Sequence, residues 1–540
     1  MKESVKHGSP REKGLYIVGL VALELLAIWH MQDTRAGAIE SGDLWLLSHY
    51  RVLMLSIVVV TAVSGMLLLF GNRWKLERIF LLVGFCFGMF YLMVLPPLSA
   101  PDEVSHYISA YKLSNQLMGK TATEEHGLVY IRQEDAWIED IYGELEAGTE
   151  GENPDLKVLG QTLTEETYQM MLDGNFWQAA KEGTTISNQW TVRTTPLAYL
   201  PQAIGITIAR IFGMSSIALL VLGRLTNLLF YLGVTWLAMK RLPFGKEVLF
   251  GVALLPMTLH LTGSMSYDVM ILALTYYFMA ICLDLAYAKP RVEKWDVLLL
   301  AAVIAVLAPC KMVYAVVMGL CLLIPVRKFG GFRNYLLAAF AVLAALVISM
   351  AVVNAQTLTT YATETESYVA WAEEAGYSFP QLISNPGLVF RMFYNTVVWQ
   401  AEYYHLTMIG GYLGNVDVVL DVPYFIVVFF SLGLLGLAFR KPGENIIITG
   451  RQRIWIWILC LACAGAILFS MLLAWTPVSS KVITGVQGRY FLPLLPLFLM
   501  SLKNNFVVLS SNADRSILFL MCCANGYALL RLFSVVSMRL

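Results

Sequence analysis

The chain has 540 residues, 58% of them hydrophobic and 14% charged, and 38 Lys plus Arg balance 38 Asp plus Glu. This composition lies well above the apolar and below the charged fraction of a soluble protein, and the zero net charge argues against a nucleic-acid partner. Apolar runs near bilayer length recur throughout, and helices are the default way to satisfy the backbone in lipid, so the expectation is an all-α polytopic membrane protein.

At the amino terminus, Lys2, Lys6, Arg11 and Lys13 precede an apolar run from about Leu15 to Trp29. The pattern resembles a signal sequence, and Ala36-Gly37-Ala38 offers small residues for cleavage. The many later spans favour an uncleaved first helix with a cytoplasmic start. Glu24 inside that helix is costly at membrane depth and is expected to pair with another helix. Further spans are expected at 51–70 and 79–96, with Arg73, Lys75 and Arg78 between them marking the cytoplasm. Residues 1–96 thus form the first transmembrane unit.

The third span runs into Pro96-Pro97-Leu98-Ser99-Ala100-Pro101-Asp102-Glu103-Val104-Ser105-His106-Tyr107. Prolines end the helix and hold the backbone extended. A new helix is expected near Pro101, with early acidic residues favoured by its dipole. Four residues apart, Asp102 and His106 would share a face of it. The plain alternative is that Asp102 and Glu103 only cap a helix.

The large external loop, 97–195, follows; from Asp102 to Arg193 it carries 17 acidic and 6 basic residues. Trp137, Tyr142, Tyr168, Phe176, Trp177 and Trp190 give it material to pack, whereas Gly148 to Pro154 reads as a solvated segment. A full span at 196–212 would place Lys240, Arg241 and Lys246 outside, so that segment is expected to be interfacial or re-entrant. Spans are then expected at 217–239, 247–264, 267–288, 295–309, 311–326, 334–354, 420–439, 454–475, 489–503 and 515–534. The segment 388–411 is either a partial span or a surface helix, and the total is about 13 spans. The transmembrane bundle is bounded at 196–354, a second external loop at 355–418 and the last helices at 419–540. Lys289, Arg291, Lys294, Arg327, Lys328, Arg333, Arg440, Lys441, Arg451 and Arg453 join the cytoplasmic side, leaving the unusual polar features on the external face.

Several residues on that face have chemistry to offer. Lys311, in Pro309-Cys310-Lys311-Met312, is placed to meet a lipid phosphate or to snorkel at a helix end. Arg489, in Gly485-Val486-Gln487-Gly488-Arg489-Tyr490, could clasp phosphate bidentately, with the two glycines letting the backbone approach a ligand; the alternative is an interfacial anchor formed with Tyr490. Asp268 starts a helix and either caps it or bonds a sugar. His260 and the Glu402, His405 pair are weaker candidates. The eight cysteines lie in or beside apolar segments and imply no disulfide framework, and Cys460-Leu461-Ala462-Cys463 lacks the second pair a metal site needs. No nucleotide-binding glycine motif and no zinc-protease motif is present.

The strings Pro-Leu-Ser-Ala-Pro-Asp-Glu-Val-Ser-His at 97–106, Thr-Pro-Leu-Ala-Tyr-Leu-Pro-Gln-Ala-Ile-Gly at 195–205, Gly-Arg-Leu-Thr-Asn at 223–227, Ser-Tyr-Asp at 266–268, Lys-Met-Val-Tyr at 311–314 and Gly-Val-Gln-Gly-Arg-Tyr-Phe-Leu-Pro at 485–493 resemble the bacterial membrane family called domain of unknown function 2142, from about residue 80 to 500. That family is similar in layout to the GT-C superfamily of membrane glycosyltransferases, which take sugars from polyprenyl-phosphate carriers. The resemblance implies a GT-C-like bundle in the bacterial plasma membrane, with an external active site. It implies Asp102 as catalytic base, with Glu103 or His106 orienting the acceptor or a metal. Arg489, Lys311, Gln487 and Tyr490 would hold the lipid-phosphate donor, and Asp268, Tyr199 and Arg193 would touch substrate. Adjacent carboxylates at Asp102 and Glu103 suit Mg²⁺ or Mn²⁺, although the chemistry requires neither. The expected partners are a polyprenyl-phosphate-linked sugar, an envelope glycan or lipid acceptor, and membrane lipids. Two spans before the acidic motif's helix, where many GT-C members have one, and no soluble carboxyl-terminal domain depart from the superfamily pattern. A flippase for lipid-linked sugar and a non-catalytic subunit of an envelope assembly are the rival readings.

Overall fold

The structure is a computed structural model that describes residues 9–42, 44–71, 73–136, 177–178, 183–355, 359, 367–414, 420–445, 447–511 and 513–538. The first helix, α1 (Pro10–Ser41), starts in a capping box: Ser9 Oγ accepts the Glu12 N–H at 3.2 Å and the Glu12 carboxylate accepts the Ser9 N–H at 2.7 Å. Next come α2 (Trp45–Gly65), ending in a π-helical turn at Met66–Phe70, then α3 (Leu76–Val94) and α4 (Glu103–Leu117). In the 97–195 loop β1 (Tyr130–Arg132) pairs antiparallel with β2 (Thr184–Ile186), Ile131 opposite Thr185. Trp137, Tyr142, Tyr168, Phe176 and the 148–154 segment lie outside the described residues. Trp177 and Trp190 are largely exposed.

After a 3₁₀ turn at Pro196–Tyr199 comes α5 (Leu200–Ile211), 12 residues long and too short to cross the bilayer, as the charge pattern requires. The bundle continues with α6 (Ser216–Arg241), α7 (Lys246–Ala253), α8 (Pro256–Thr262) and α9 (Asp268–Leu283), the last ending in a π turn at Asp284–Ala288. Then follow α10 (Lys294–Cys310), a 3₁₀ helix at Met312–Leu323 and α11 (Phe332–Val353). In the second loop β3 (Ser367–Val369) pairs with β4 (Glu374–Gly376), before α12 (Phe379–Ser384) and α13 (Pro386–Ile409). The chain closes with the pair β5 (Tyr412–Leu413) and β6 (Leu420–Asp421), then α14 (Tyr424–Ala438), α15 (Gly450–Ala474), a 3₁₀ turn at Gly488–Phe491, α16 (Leu495–Ser501) and α17 (Asp514–Met538).

The protein is therefore an all-α polytopic membrane protein. Among the described residues eight helices are long and apolar enough to cross a membrane, fewer than the about 13 spans expected from hydropathy. Of the five expected spans not among the eight, 295–309 and 420–439 are the shorter helices α10 and α14, of 17 and 15 residues, and three have a different form. The run 247–264 is split where Pro256 removes a backbone donor, 489–503 is split by Pro493 and Pro496, and 311–326 is a 3₁₀ helix. Glu24 also departs from expectation: it lies on the exposed face of α1, with no described partner helix.

At the centre, α6 packs against α3, α5 and α9, while α1 and α2 pack on each other and on α17, which also meets α14 and α3. On α3, Gly84 and Gly88 sit against Leu232 and Leu228 of α6, where a Cβ would collide, so the small residues set the closeness of the two helices. The basic residues gather at one end of the bundle. Arg241 reaches Asp284 at 3.0 Å and Asp296 at 2.6 Å, Lys503 reaches Glu247 and Glu444, and Lys441 reaches Asp514 at 2.7 Å. The carboxyl end of α3, the amino end of α9 and the carboxyl end of α10 meet at the other end.

Candidate functional site

The acidic motif enters the site through strained backbone. Leu98 (φ 68°) and Asp102 (φ 57°) both occupy the left-handed region, at a cost of roughly 1–3 kcal/mol each, strain that persists only where the surroundings enforce it. Asp102 is the N-cap residue of α4, yet its side chain makes no capping bond. It stays largely exposed and lies 3.4 Å from Nη2 of Arg489. The capping alternative therefore fails for Asp102.

Glu103 has a different role. It is buried, one carboxylate oxygen accepts the Ala100 N–H at 3.0 Å, the other accepts the Met265 N–H at 2.8 Å, and Arg224 lies 3.9 Å away. Burial pushes its carboxyl above the ordinary range, against the pull of Arg224 and those two amides. The neighbouring carboxyls of Asp102 and Glu103 do not converge on a point where a divalent ion could sit. Asp102 faces a guanidinium and Glu103 is occupied by backbone donors, so the residues present do not fit the Mg²⁺ or Mn²⁺ pair that adjacency suggests. Among the described residues, no group of three His, Cys, Asp or Glu side chains is arranged to hold a metal.

His106, one turn on, is buried with Nδ1 2.8 Å from the Tyr199 hydroxyl, and its ring meets that of Tyr267 edge to face at 5.1 Å. Burial lowers its pKa to about 4, so it is neutral at ordinary pH. This layer backs the site without reaching Arg489.

Arg489 is itself buried, on the 3₁₀ turn Gly488–Phe491. The turn is held from three sides. Gly488 N–H donates to Thr407 Oγ1 of α13 at 2.7 Å, Tyr314 OH donates to the Tyr490 carbonyl at 2.7 Å, and Tyr276 OH donates to the Leu492 carbonyl at 3.2 Å. The glycines serve protein packing rather than approach to a ligand. A Cβ at Gly488 would strike the Tyr404 carbonyl, and one at Gly485 (φ 76°) would strike the Trp475 ring. Arg489 Nη1 lies 3.4 Å from Asp268, so two carboxylates flank one guanidinium, and Nε and Nη1 have no hydrogen-bond partner. A buried donor left so costs roughly 1–3 kcal/mol and is an invitation to an oxyanion. Lys311 Nζ lies 3.4 Å from the centroid of the Tyr490 ring, putting a second cation beside the first.

The structure thus brings Asp102, Asp268, Arg489, Lys311 and Tyr490 together, with His106 and Tyr199 behind. Gln487 is buried in the same turn. Arg193 is exposed; the next residue, Thr194, donates to the Cys310 carbonyl at 3.0 Å, so it stands near the Lys311 turn, with no described bond to the cluster. His405 pairs with Ser431, and His260 accepts the Gly414 N–H, both inside the fold.

Sequence reasoning missed the frame. Asn227 Nδ2 donates to the carbonyls of Ser264 and Ser266, Gln202 Nε2 to those of Met265 and Ser266, and Arg224 Nε to that of Gly263. With Glu103 on the Met265 amide, four polar side chains from three helices clamp the turn that aims Tyr267 and Asp268. The strings that carry these residues were visible, but polar residues inside apolar helices that bind carbonyls rather than each other leave no spacing to read.

Helical bundle and charged end cluster together define a polytopic membrane protein with a polar site at one end of its transmembrane core. Residues 85–498 match the family described as Predicted membrane protein (DUF2142), and the chain belongs to that family. No curated protein and no solved structure matches it.

Proposed function

We propose that the chain is an integral-membrane glycosyltransferase of the GT-C kind, moving a sugar from a polyprenyl-phosphate carrier to an envelope glycan or lipid acceptor on the external face of the bacterial plasma membrane. The observation that carries the reading is the pairing of an exposed, strained, non-capping Asp102 with a buried Arg489 that has donors to spare. In the step, the acceptor oxygen bonds to the anomeric carbon as the bond from that carbon to the phosphate oxygen breaks. Asp102 takes the acceptor proton, and Arg489 with Lys311 takes up the negative charge of the departing phosphate. A single displacement inverts the anomeric centre. Tyr490 keeps Lys311 over its ring until phosphate competes for it, and Asp268 holds the far side of the guanidinium.

The test is transfer from a panel of labelled polyprenyl-phosphate sugars to envelope-glycan acceptors by the purified protein in lipid. Transfer that is lost in Arg489→Ala supports the reading. Movement of the lipid-linked sugar between leaflets with no transfer would replace it by a flippase.

A further inference from the structure

Away from this site, an apolar cleft of about 230 Å³ lies between α10, the 3₁₀ helix Met312–Leu323 and α11. Its walls include Val297, Leu300, Met318, Leu322, Tyr335 and Val342. Because α11 is exposed along most of its length, the cleft borders the bilayer rather than the core. It belongs to the basic end of the bundle. The 17 residues of α10 separate its Lys294 end from the Lys311 turn by roughly 25 Å at 1.5 Å per residue.

At that end three segments are tied together. Val292 N–H donates to the Lys328 carbonyl at 2.9 Å and Asn334 Nδ2 donates to the Phe329 carbonyl at 3.1 Å. Lys328 Nζ is used up on the carbonyls of Leu285, Ala286 and Lys289. Next in the chain to Val292, Lys328 and Asn334 stand Arg291, Arg327 and Arg333, all exposed and with no acidic partner among the described residues. The nearby Glu293 is engaged by Lys289 at 3.3 Å. Trp295 and Phe332, 75% and 64% exposed, flank the group as interfacial side chains do.

We propose that this cleft is a binding site for one anionic phospholipid, with an acyl chain between α10 and α11 and the phosphate on Arg291, Arg327 and Arg333. An apolar cleft open to lipid fills with hydrocarbon whatever the headgroup; three arginines without counter-charges at its mouth add a preference for net negative charge, since each basic group at a membrane surface contributes about 1 kcal/mol. The site is separate from the sugar-transfer site and does not depend on that reading.

The test is native mass spectrometry of the full chain released from micelles containing equal phosphatidylglycerol and phosphatidylcholine. One phosphatidylglycerol should be retained per chain, at least about tenfold over phosphatidylcholine. The triple variant Arg291→Gln, Arg327→Gln, Arg333→Gln should abolish the preference while still retaining lipid. Ala339→Trp, which fills the cleft from α11, should lose both lipids, and Arg489→Ala should behave as wild type. Equal retention of the two lipids by wild type, an unchanged preference in the triple variant, full retention in Ala339→Trp, or displacement of phosphatidylglycerol by an equimolar polyprenyl phosphate would each overturn the proposal.

Discussion

At the residue scale, the two members of Asp102-Glu103 do opposite things although they are adjacent. Asp102, held at φ 57°, faces solvent and Arg489, and Glu103 is sunk among backbone donors. If Asp102 is the base, Asp102→Asn lowers transfer at least about a hundredfold, the usual worth of general-base catalysis, while the unfolding temperature hardly moves. Glu103→Ala should do the reverse and unfold the site, because it leaves the Ala100 and Met265 amides without their acceptor and takes away the carboxylate 3.9 Å from the buried Arg224. His106 gives a pH signature. Its folded pKa of about 4 lies below the ordinary 6.5, so the unfolded chain binds the proton first. Stability from this group is full above 6.5 and is lost as pH falls towards 4, and thermal unfolding in detergent should show a drop across that window that His106→Asn flattens. The sequence made Asp102 and His106 legible as a four-residue pair, but could not show that His106 would turn to Tyr199, since a helix fixes which face a residue is on and not which helix covers it.

At the scale of elements, the account rests on the clamp around 263–267. Removing one partner of a buried ion pair costs about 3–5 kcal/mol, so Arg224→Met should destabilise strongly, and Asn227→Ala should cost about 1–3 kcal/mol because the Ser264 carbonyl loses its side-chain donor while Ser266 keeps Gln202. Both are measured as shifts in unfolding midpoint. Gly488→Ala should act from the other side by forcing the Arg489 turn away from α13, with an overpacking cost of about 1–3 kcal/mol and a rise in the KM for the lipid donor. The elements misread from sequence share a cause. In Met312–Leu323 nearly every residue is apolar, so a three-residue and a 3.6-residue period cannot be told apart. In 247–264 and 489–503 hydropathy runs on through prolines that break the helix, because lipid-like composition carries no record of backbone donors.

For the whole molecule, the end-to-end asymmetry of charge was the most legible feature. Several basic residues assigned to one side by the charge rule meet acidic partners at one end of the bundle, as Arg241 does with Asp284 and Asp296, while the candidate site gathers at the other. The convergence itself was hidden: Asp102, Asp268, Lys311 and Arg489 are far apart in sequence, and they are set side by side by the packing of α6 against α3, α5 and α9 together with that of the Gly488–Phe491 turn against α13, Tyr314 and Tyr276. Because two carboxylates flank Arg489, the central claim reduces to which of them takes the acceptor proton. The direct measurement is the single-turnover rate of sugar transfer in Asp102→Asn against Asp268→Asn, each followed as lipid donor is raised to saturation. The account predicts a loss of at least about a hundredfold in the first and a milder loss, relieved by more donor, in the second. Equal rates in wild type and Asp102→Asn would contradict it.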